Sequence, residues 1–392
     1  MKKFYARFNS WYLKFQISKT PQMNLVWGFF LYTIIGFFLL SIPLFHKTDI
    51  AIIDNLFSAT SAVSTTGLVT ISIFDSYNFF GQLIILSLFQ LGGIGYMTLT
   101  TYFLLFTTKR ITRWHQRVLG TEFTLPKTIR IKDFIKSVIV FTLIMETLGA
   151  IAFYIAFSND GMSGFKAIWF SIFHSVSAFC TAGFSLFNDS FVGYQNNTFV
   201  NTIISVLAIA GSLGFIVITD LWYRISGRAK QLSFTTKIVV FGFLILLSLG
   251  TLITYFSEPI VQQSTDSSLM QSFFQSMTAM TTVGFNTIST GDLSLSILLL
   301  VTFLMYIGAS PSGTAGGLKI TTLTAMIAVL KSRLYGQKRI TFFKRTIPFE
   351  RLYVATSIFI LYTILIFLFS FLMSFTEPFS FDQILFEVAS SL

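Results

Sequence analysis

Three short apolar segments that end in glycine, each set between two long apolar runs, most constrain what this chain can fold into. A long run at 24–45 is followed by a short one at 50–66 and a long one at 79–107. The order returns at 134–157, 165–182 and 198–222, and again at 238–257, 268–283 and 294–330. A fourth unit opens with 352–374 and a short segment from Phe381. The long runs suffice to cross a bilayer at ~20 residues per crossing, and the short ones, at ~15, do not. A short segment must therefore enter and turn back, and irregular backbone at membrane depth survives only beside protein or a watery cavity. The predicted fold is an all-α integral membrane protein of tandem membrane–pore loop–membrane repeats in pseudo-fourfold order around a central pore, the fourth repeat incomplete.

The short segments align without gaps. They read Phe57-Ser-Ala-Thr-Ser-Ala-Val-Ser-Thr-Thr-Gly67, Phe173-His-Ser-Val-Ser-Ala-Phe-Cys-Thr-Ala-Gly183 and Phe274-Gln-Ser-Met-Thr-Ala-Met-Thr-Thr-Val-Gly284. Each has Phe ten residues before Gly, Ser or Thr six before, Ala five before and Thr two before, and such self-similarity marks a repeat architecture. In the same register, Phe386-Glu-Val-Ala-Ser390-Ser-Leu392 puts a fourth Gly four residues past Leu392. The units divide as 1–22, a cytoplasmic N-terminal segment; 23–108, the first repeat; 109–223, a basic loop and the second repeat; 224–331, the third repeat with a broken second helix; and 332–392, a basic loop and a partial fourth repeat.

Charge fixes the orientation. Of 27 Lys and Arg, 24 fall in four blocks, 1–20, 109–136, 224–237 and 331–351, which alternate with acidic connections. Basic clusters at every second connection follow the positive-inside rule and put the N-terminus in the cytoplasm. The net charge of +11 is thus a topology signal, and nucleic acid is excluded as a partner. The first apolar run is too long for a signal h-region. One cysteine and three scattered histidines offer no disulfide and no metal-ligand spacing.

Dehydrating a cation takes oxygen ligands, and backbone carbonyls supply them where an extended chain turns its C=O groups to the pore axis. Glycine accepts the φ > 0 such a turn needs, and the preceding helix aims its partially negative C-terminus at the pore. The candidate filter is Thr65, Thr66, Gly67 and Leu68; Thr181, Ala182, Gly183 and Phe184; and Thr282, Val283, Gly284 and Phe285. Read singly, any of these glycines could be no more than a turn.

A second feature breaks the last span of the third repeat: Gly308, Ala309, Ser310, Pro311, Ser312, Gly313, Thr314, Ala315, Gly316 and Gly317, with Lys319 just beyond. Proline removes a donor and each Gly costs ~1 kcal/mol of helix stability against Ala. The expectation is a mobile intramembrane gate loop on the cytoplasmic side of the filter, to which Lys319 adds positive charge; a static kink is the alternative. Leu91-Gly-Gly-Ile-Gly95 and Ala210-Gly-Ser-Leu-Gly214 read as close-packing sites between helices. Gly93-Ile-Gly95 lacks the strand and βαβ context of a dinucleotide site, so no nucleotide site is expected here. Glu146, ionisable inside an apolar run, is either functional or a paired structural carboxylate. His174 and Cys180 read as wall positions of the second pore segment, and Asn188 and Asn196 stand in glycosylation-type triplets.

The three Gly-ended loops, the break at 308–317 and the repeat order resemble the Ktr/Trk/HKT potassium transporter superfamily over nearly the whole chain, most closely a bacterial KtrB-type membrane subunit. The resemblance implies that Gly67, Gly183 and Gly284 are filter glycines, that Gly308–Gly317 is the gate loop, and that Gly at the first position favours K⁺ over Na⁺. It implies a multi-pass protein of the bacterial plasma membrane, in contact with lipid, that forms a homodimer with one pore per protomer. It implies a cytosolic RCK-type nucleotide-binding ring (KtrA-like), docked on basic loops such as 109–136 and 331–351, and Na⁺ as an activator. Four repeats close the family's pore, so this chain is expected to be a fragment or truncated product, with transport belonging to the complete protein. The leading function is channel-like K⁺ uptake; the alternative is a Na⁺- or H⁺-coupled K⁺ symporter using Glu146 or Lys319. No clustered acid, base, nucleophile or metal set supports an enzyme.

Overall fold

The computed structural model describes residues 20–95, 98, 131–263, 267–337, 339–343 and 345–392, and the alternation of long and short apolar runs appears in it as helices. The first repeat holds α1 (Pro21–Leu40), α2 (Ile52–Ser64), the short α3 (Ile73–Ser76) and α4 (Phe79–Ile94). The second holds α5 (Ile131–Asn159), α6 (Gly164–Phe179) and α7 (Thr198–Ile225). The third holds α8 (Phe234–Ser257), the short α9 (Pro259–Gln263), α10 (Ser268–Thr281), α11 (Leu295–Tyr306) and α12 (Ile320–Leu334). The fourth unit supplies α13 (Phe349–Met373) and α14 (Phe381–Ser391). The predicted N-terminal segment, the far half of span 79–107 and most of the basic stretch 109–136 lie outside the described residues.

Polar caps set where the helices start. Asn78 accepts from the amides of Phe80 and Gly81 to open α4, Asn197 accepts from Val200 to open α7, and Ser233 accepts from Thr236 to open α8. Each satisfies donors that helix geometry leaves bare. Among the described helices, α1, α5, α7, α8 and α13 are long and apolar enough to cross a membrane. The outer helices expose rings and aliphatic chains such as Phe38, Leu143, Leu249 and Phe367. In water that would be a large apolar patch; in a bilayer it is the surface the lipid requires.

The short helices α6 and α10 sit largely inside this shell, and α2 buries one face against it. On α10 the side chains of Gln271, Ser272, Gln275, Ser276, Thr278 and Thr281 are all buried. Buried polar side chains need partners, and Ser272, Thr278 and Thr281 find theirs in backbone carbonyls.

Among the described residues, the second span of each of the first three repeats is interrupted at a comparable place. α4 ends at Gly95 with φ +83°, α7 is kinked at Gly214 with φ +82°, and α11 stops at Tyr306 before the chain resumes as α12. The expected close packing is there: a Cβ on Gly92 would stand 2.2 Å from the Val63 carbonyl oxygen, and one on Gly211 would stand 2.0 Å from that of Phe179. The two carbonyls lie four residues before Gly67 and Gly183. The loop 331–351, read only as basic, also contains a small hairpin, β1 (Thr341–Phe342) against β2 (Arg345–Thr346). Its flanking Ile340 and Ile347 pack with Leu352 and Ala355 of α13.

Candidate functional site

The three glycine turns share one construction. Thr65, Thr181 and Thr282 have φ of 54°, 49° and 50°, the left-handed region, which β-branched residues seldom enter. Their amides donate to the carbonyls of Ala62, Ala178 and Ala279, each at 3.2 Å. The next amides, of Thr66, Ala182 and Val283, reach back to Ser61, Ser177 and Thr278 at 3.0, 2.8 and 3.2 Å. These paired bonds form the Schellman closure of a helix C-terminus, usually built on glycine. Threonine there costs roughly 1–2 kcal/mol, and it recurs three times. The glycines two residues on then take φ of 82°, 69° and 79°.

The hydroxyl six residues before each glycine, visible in the sequence without a role, also has a task. Ser61 Oγ donates to the Leu68 carbonyl at 2.7 Å, Ser177 Oγ to that of Phe184 at 2.8 Å, and Thr278 Oγ1 to that of Phe285 at 2.9 Å. The pore helix thus clamps the strand that leaves its own turn. The carbonyl of the fourth residue in each candidate filter segment is thereby held toward the helix. The Phe184 and Phe285 rings point outward, Phe184 stacking on Phe89 and Phe285 meeting Phe191 edge-on.

The turns converge. A Cβ on Gly67 would stand 2.5 Å from the Ala182 oxygen and 3.0 Å from Gly183 Cα. One on Gly183 would stand 2.4 Å from the Val283 oxygen and 3.4 Å from the Cα atoms of both Gly67 and Gly284. Only hydrogen fits where three backbones meet this closely. Beside them lies a cavity of about 360 Å³, whose lining includes Thr66, Gly67, Thr282, Gly284, Ala315 and Gly316. Residues of the second repeat's turn are not among its lining, and Thr181 and Ala182 are buried. Uncharged oxygens and the C-termini of α2 and α10 beside such a space favour a cation over an anion.

Thr314, Ala315, Gly316 and Gly317, the end of the broken segment 308–317, form another part of the wall of this cavity. Ser312, at φ +76°, accepts from the Phe215 amide at 3.2 Å, and its Oγ accepts from the Ile216 amide at 3.1 Å. The kink at Gly214 makes room for it, since a Cβ there would stand 2.7 Å from Gly313 N. The Thr314 amide donates to Gly211 at 3.1 Å, and its Oγ1 donates to the Phe179 carbonyl at 3.3 Å. The loop's neck is pinched: a Cβ on Gly308 would stand 1.8 Å from the Gly316 oxygen. Lys319 Nζ donates to the carbonyls of Ala315 and, at 2.9 Å, Gly316. Its ammonium binds the loop's own backbone.

Glu146 is buried between the first two repeats. Gln90 Nε2 donates to its Oε1 at 2.8 Å, and Cys180 Sγ lies 4.0 Å from the same oxygen. It does not line the filter cavity. His174 accepts from the Leu186 amide at Nε2, 3.1 Å, which leaves Nδ1 to donate to the Phe170 carbonyl at 2.8 Å. It anchors the strand beyond the second filter turn within a cage of rings that includes Phe187 and Phe191. Asn188 bridges repeats, donating to Asp75 at 2.8 Å, and Asn196 accepts from Ser267 at 2.7 Å.

Comparison with known proteins agrees with this geometry. The chain is 34% identical to the potassium/sodium uptake protein NtpJ of Enterococcus hirae over 84% of its length and 73% of that protein's. It is 31% identical to the Ktr system potassium uptake protein B of Bacillus subtilis over 95% of its length and 84% of that protein's. Its fold superposes on the potassium transporter TrkH from Vibrio parahaemolyticus with a TM-score of 0.69 at 19% identity, covering 90% of this chain and 72% of that one. The profile of the TrkH family, described as cation transport proteins, matches residues 14–392. That match takes in all three glycine turns and the broken helix, and the chain belongs to the TrkH family of cation transport proteins.

Proposed function

We propose that the protein carries K⁺ into the cell through a channel-like pore whose selectivity comes from backbone carbonyls at the glycine turns. The observation that carries this reading is the convergence of Gly67, Gly183 and Gly284, each two residues past the left-handed threonine that closes a short helix. The coordinating oxygens are those of Thr65, Thr66 and Gly67, Thr181, Ala182 and Gly183, and Thr282, Val283 and Gly284. K⁺ is chosen over Na⁺ because uncharged carbonyls replace a weakly held hydration shell more readily than a tight one. Of the proteins named above, one is a potassium uptake protein, one a potassium transporter and one a potassium/sodium uptake protein, so the test must read both ions.

The hydroxyl clamps supply that test. Ser61→Ala, Ser177→Ala and Thr278→Val each free a filter-strand carbonyl, at about 1 kcal/mol per lost hydrogen bond. The K⁺-over-Na⁺ uptake ratio should fall roughly fivefold in each, the equivalent of that energy. A ratio unchanged in all three would remove the hydroxyls from the selectivity mechanism.

Segment 308–317 is the gate, closing the cavity from the cytoplasmic side. A cytosolic nucleotide-binding ring of RCK type controls it by docking on the basic face that includes 331–351 and its hairpin; Na⁺ is an activator, the protein is a homodimer in the bacterial plasma membrane, and the N-terminus is cytoplasmic. Coupled symport would need an ionisable group on the ion's path. Glu146 is engaged by Gln90 away from the cavity, and Lys319 by the loop's carbonyls, which favours channel-like permeation. Glu146→Gln should therefore keep K⁺ uptake within about twofold of wild type from pH 6 to 8, a difference too small to mark a lost coupling step. Loss of uptake that no pH restores would support the symport reading instead.

A further inference from the structure

The three filter threonines share one backbone conformation, yet their side chains do not do the same thing. Thr65 Oγ1 donates to the Ser64 carbonyl at 2.7 Å, and Thr181 Oγ1 donates to that of Cys180 at 2.8 Å. Thr282 Oγ1 instead accepts from the Gly316 amide at 2.7 Å. With φ of 54°, 49° and 50°, the turns themselves cannot explain the difference. What differs is the neighbour: among the described repeats, only the third has a broken second helix whose loop reaches the filter. Gly316 lies in the cavity wall, and a Cβ there would stand 3.5 Å from Thr282 Oγ1.

Resting on the filter and gate assignments above, we propose that the Thr282 hydroxyl is a latch that ties the third filter turn to the gate loop. The Gly316 peptide is held at both ends, its amide by Thr282 and its carbonyl by Lys319 Nζ. The loop's other side-chain tether to a pore helix, Thr314 Oγ1 to the Phe179 carbonyl, is longer at 3.3 Å. Withdrawal of the loop must break the Gly316–Thr282 bond. The freed hydroxyl can then turn to its own preceding carbonyl, on Thr281, as Thr65 and Thr181 already do. Thr282 thus alternates between two partners, and the three turns become alike only when the loop has left. The exchange couples gate position to filter geometry, and the coupling must run both ways. Thr282 is in this respect a positioning residue, acting on the ion through the loop.

The test uses the full-length protein in proteoliposomes with Cys180→Ala removing the single native cysteine and Ala315→Cys reporting on the loop. Labelling by a membrane-impermeant thiol reagent from the cytoplasmic side reads loop withdrawal. Adding Thr282→Val, isosteric and equally β-branched, should speed labelling about five- to tenfold, the shift expected for one buried hydrogen bond. Thr282→Ser should restore the parent rate, and Thr65→Val and Thr181→Val should leave it unchanged. A parent rate in Thr282→Val, or equal acceleration in all three valine variants, would overturn the latch. In the parent alone, replacing K⁺ by choline should change the labelling rate, because an ion in the filter must be felt at the loop; an unchanged rate would also overturn it. K⁺-selective uptake by the unsubstituted protein, measured in matched vesicles, separates the two ideas: if it is present while Thr282→Val has no effect on labelling, only the latch fails, and if it is absent, the filter reading fails first.

Discussion

Substituting Gly183 by alanine should reduce K⁺ uptake to background, while the same change at Gly284 leaves a conducting protein. A Cβ on Gly183 would stand 2.4 Å from the Val283 carbonyl oxygen, and the residue's φ of +69° strains any L side chain. The left-handed conformation alone costs roughly 1–2 kcal/mol. The overlap adds to it by pushing a coordinating oxygen out of place. Gly67 should behave as Gly183 does, with 2.5 Å to the Ala182 oxygen. At Gly284 the nearest atom to a new Cβ, Gly183 Cα, is 3.7 Å away, an ordinary contact, so strain at φ +79° is the main cost. Uptake assays with thermal unfolding of each purified variant check this order. Equal loss at all three positions, with equal stability, would mean that the close approach of the backbones does not matter.

Deleting residues 310–316 should raise K⁺ flux severalfold and remove its dependence on a cytosolic regulator. The neck explains why the deletion is tolerable. Ile320 donates to the Ala309 carbonyl at 3.0 Å and Leu318 to that of Tyr306 at 2.9 Å, so α11 and α12 are already joined below the loop. Excision also removes the cavity wall formed by Thr314, Ala315 and Gly316. Flux that stayed at the wild-type level, or fell while the protein remained folded, would make the loop a structural kink instead of a gate.

Much of this arrangement was legible in the sequence because a local pattern recurs there. Phe, Ser or Thr, Ala, Thr and Gly at fixed offsets located all three turns, and the apolar runs located the long helices to within a few residues. The offsets did not reveal their tasks. That the hydroxyl at Ser61, Ser177 or Thr278 clamps a carbonyl seven residues on depends on the chain doubling back, which spacing alone cannot show. The left-handed threonines run against a propensity that normally selects glycine. Contacts between distant segments were beyond reach: Gln90 with Glu146, Gly214 with Gly313, and Thr282 with Gly316 join residues 56, 99 and 34 positions apart. The glycines of 91–95 and 210–214 were readable as packing sites, but not the reversal of φ at Gly95 and Gly214 that breaks their helices. The hairpin at 341–346 was hidden by strands of only two residues.

The most direct measurement of the central claim is K⁺ and Na⁺ uptake by the full-length protein, wild type against Gly284→Ser, in cells lacking other K⁺ uptake. Because the space beside Gly284 tolerates a side chain, this variant reads the filter rather than the fold. A carbonyl filter predicts K⁺-selective uptake by the wild type and a ratio shifted toward Na⁺ in Gly284→Ser, by about tenfold for 1.4 kcal/mol of lost discrimination. Unchanged flux and an unchanged ratio in the variant would contradict selection by backbone carbonyls at these turns.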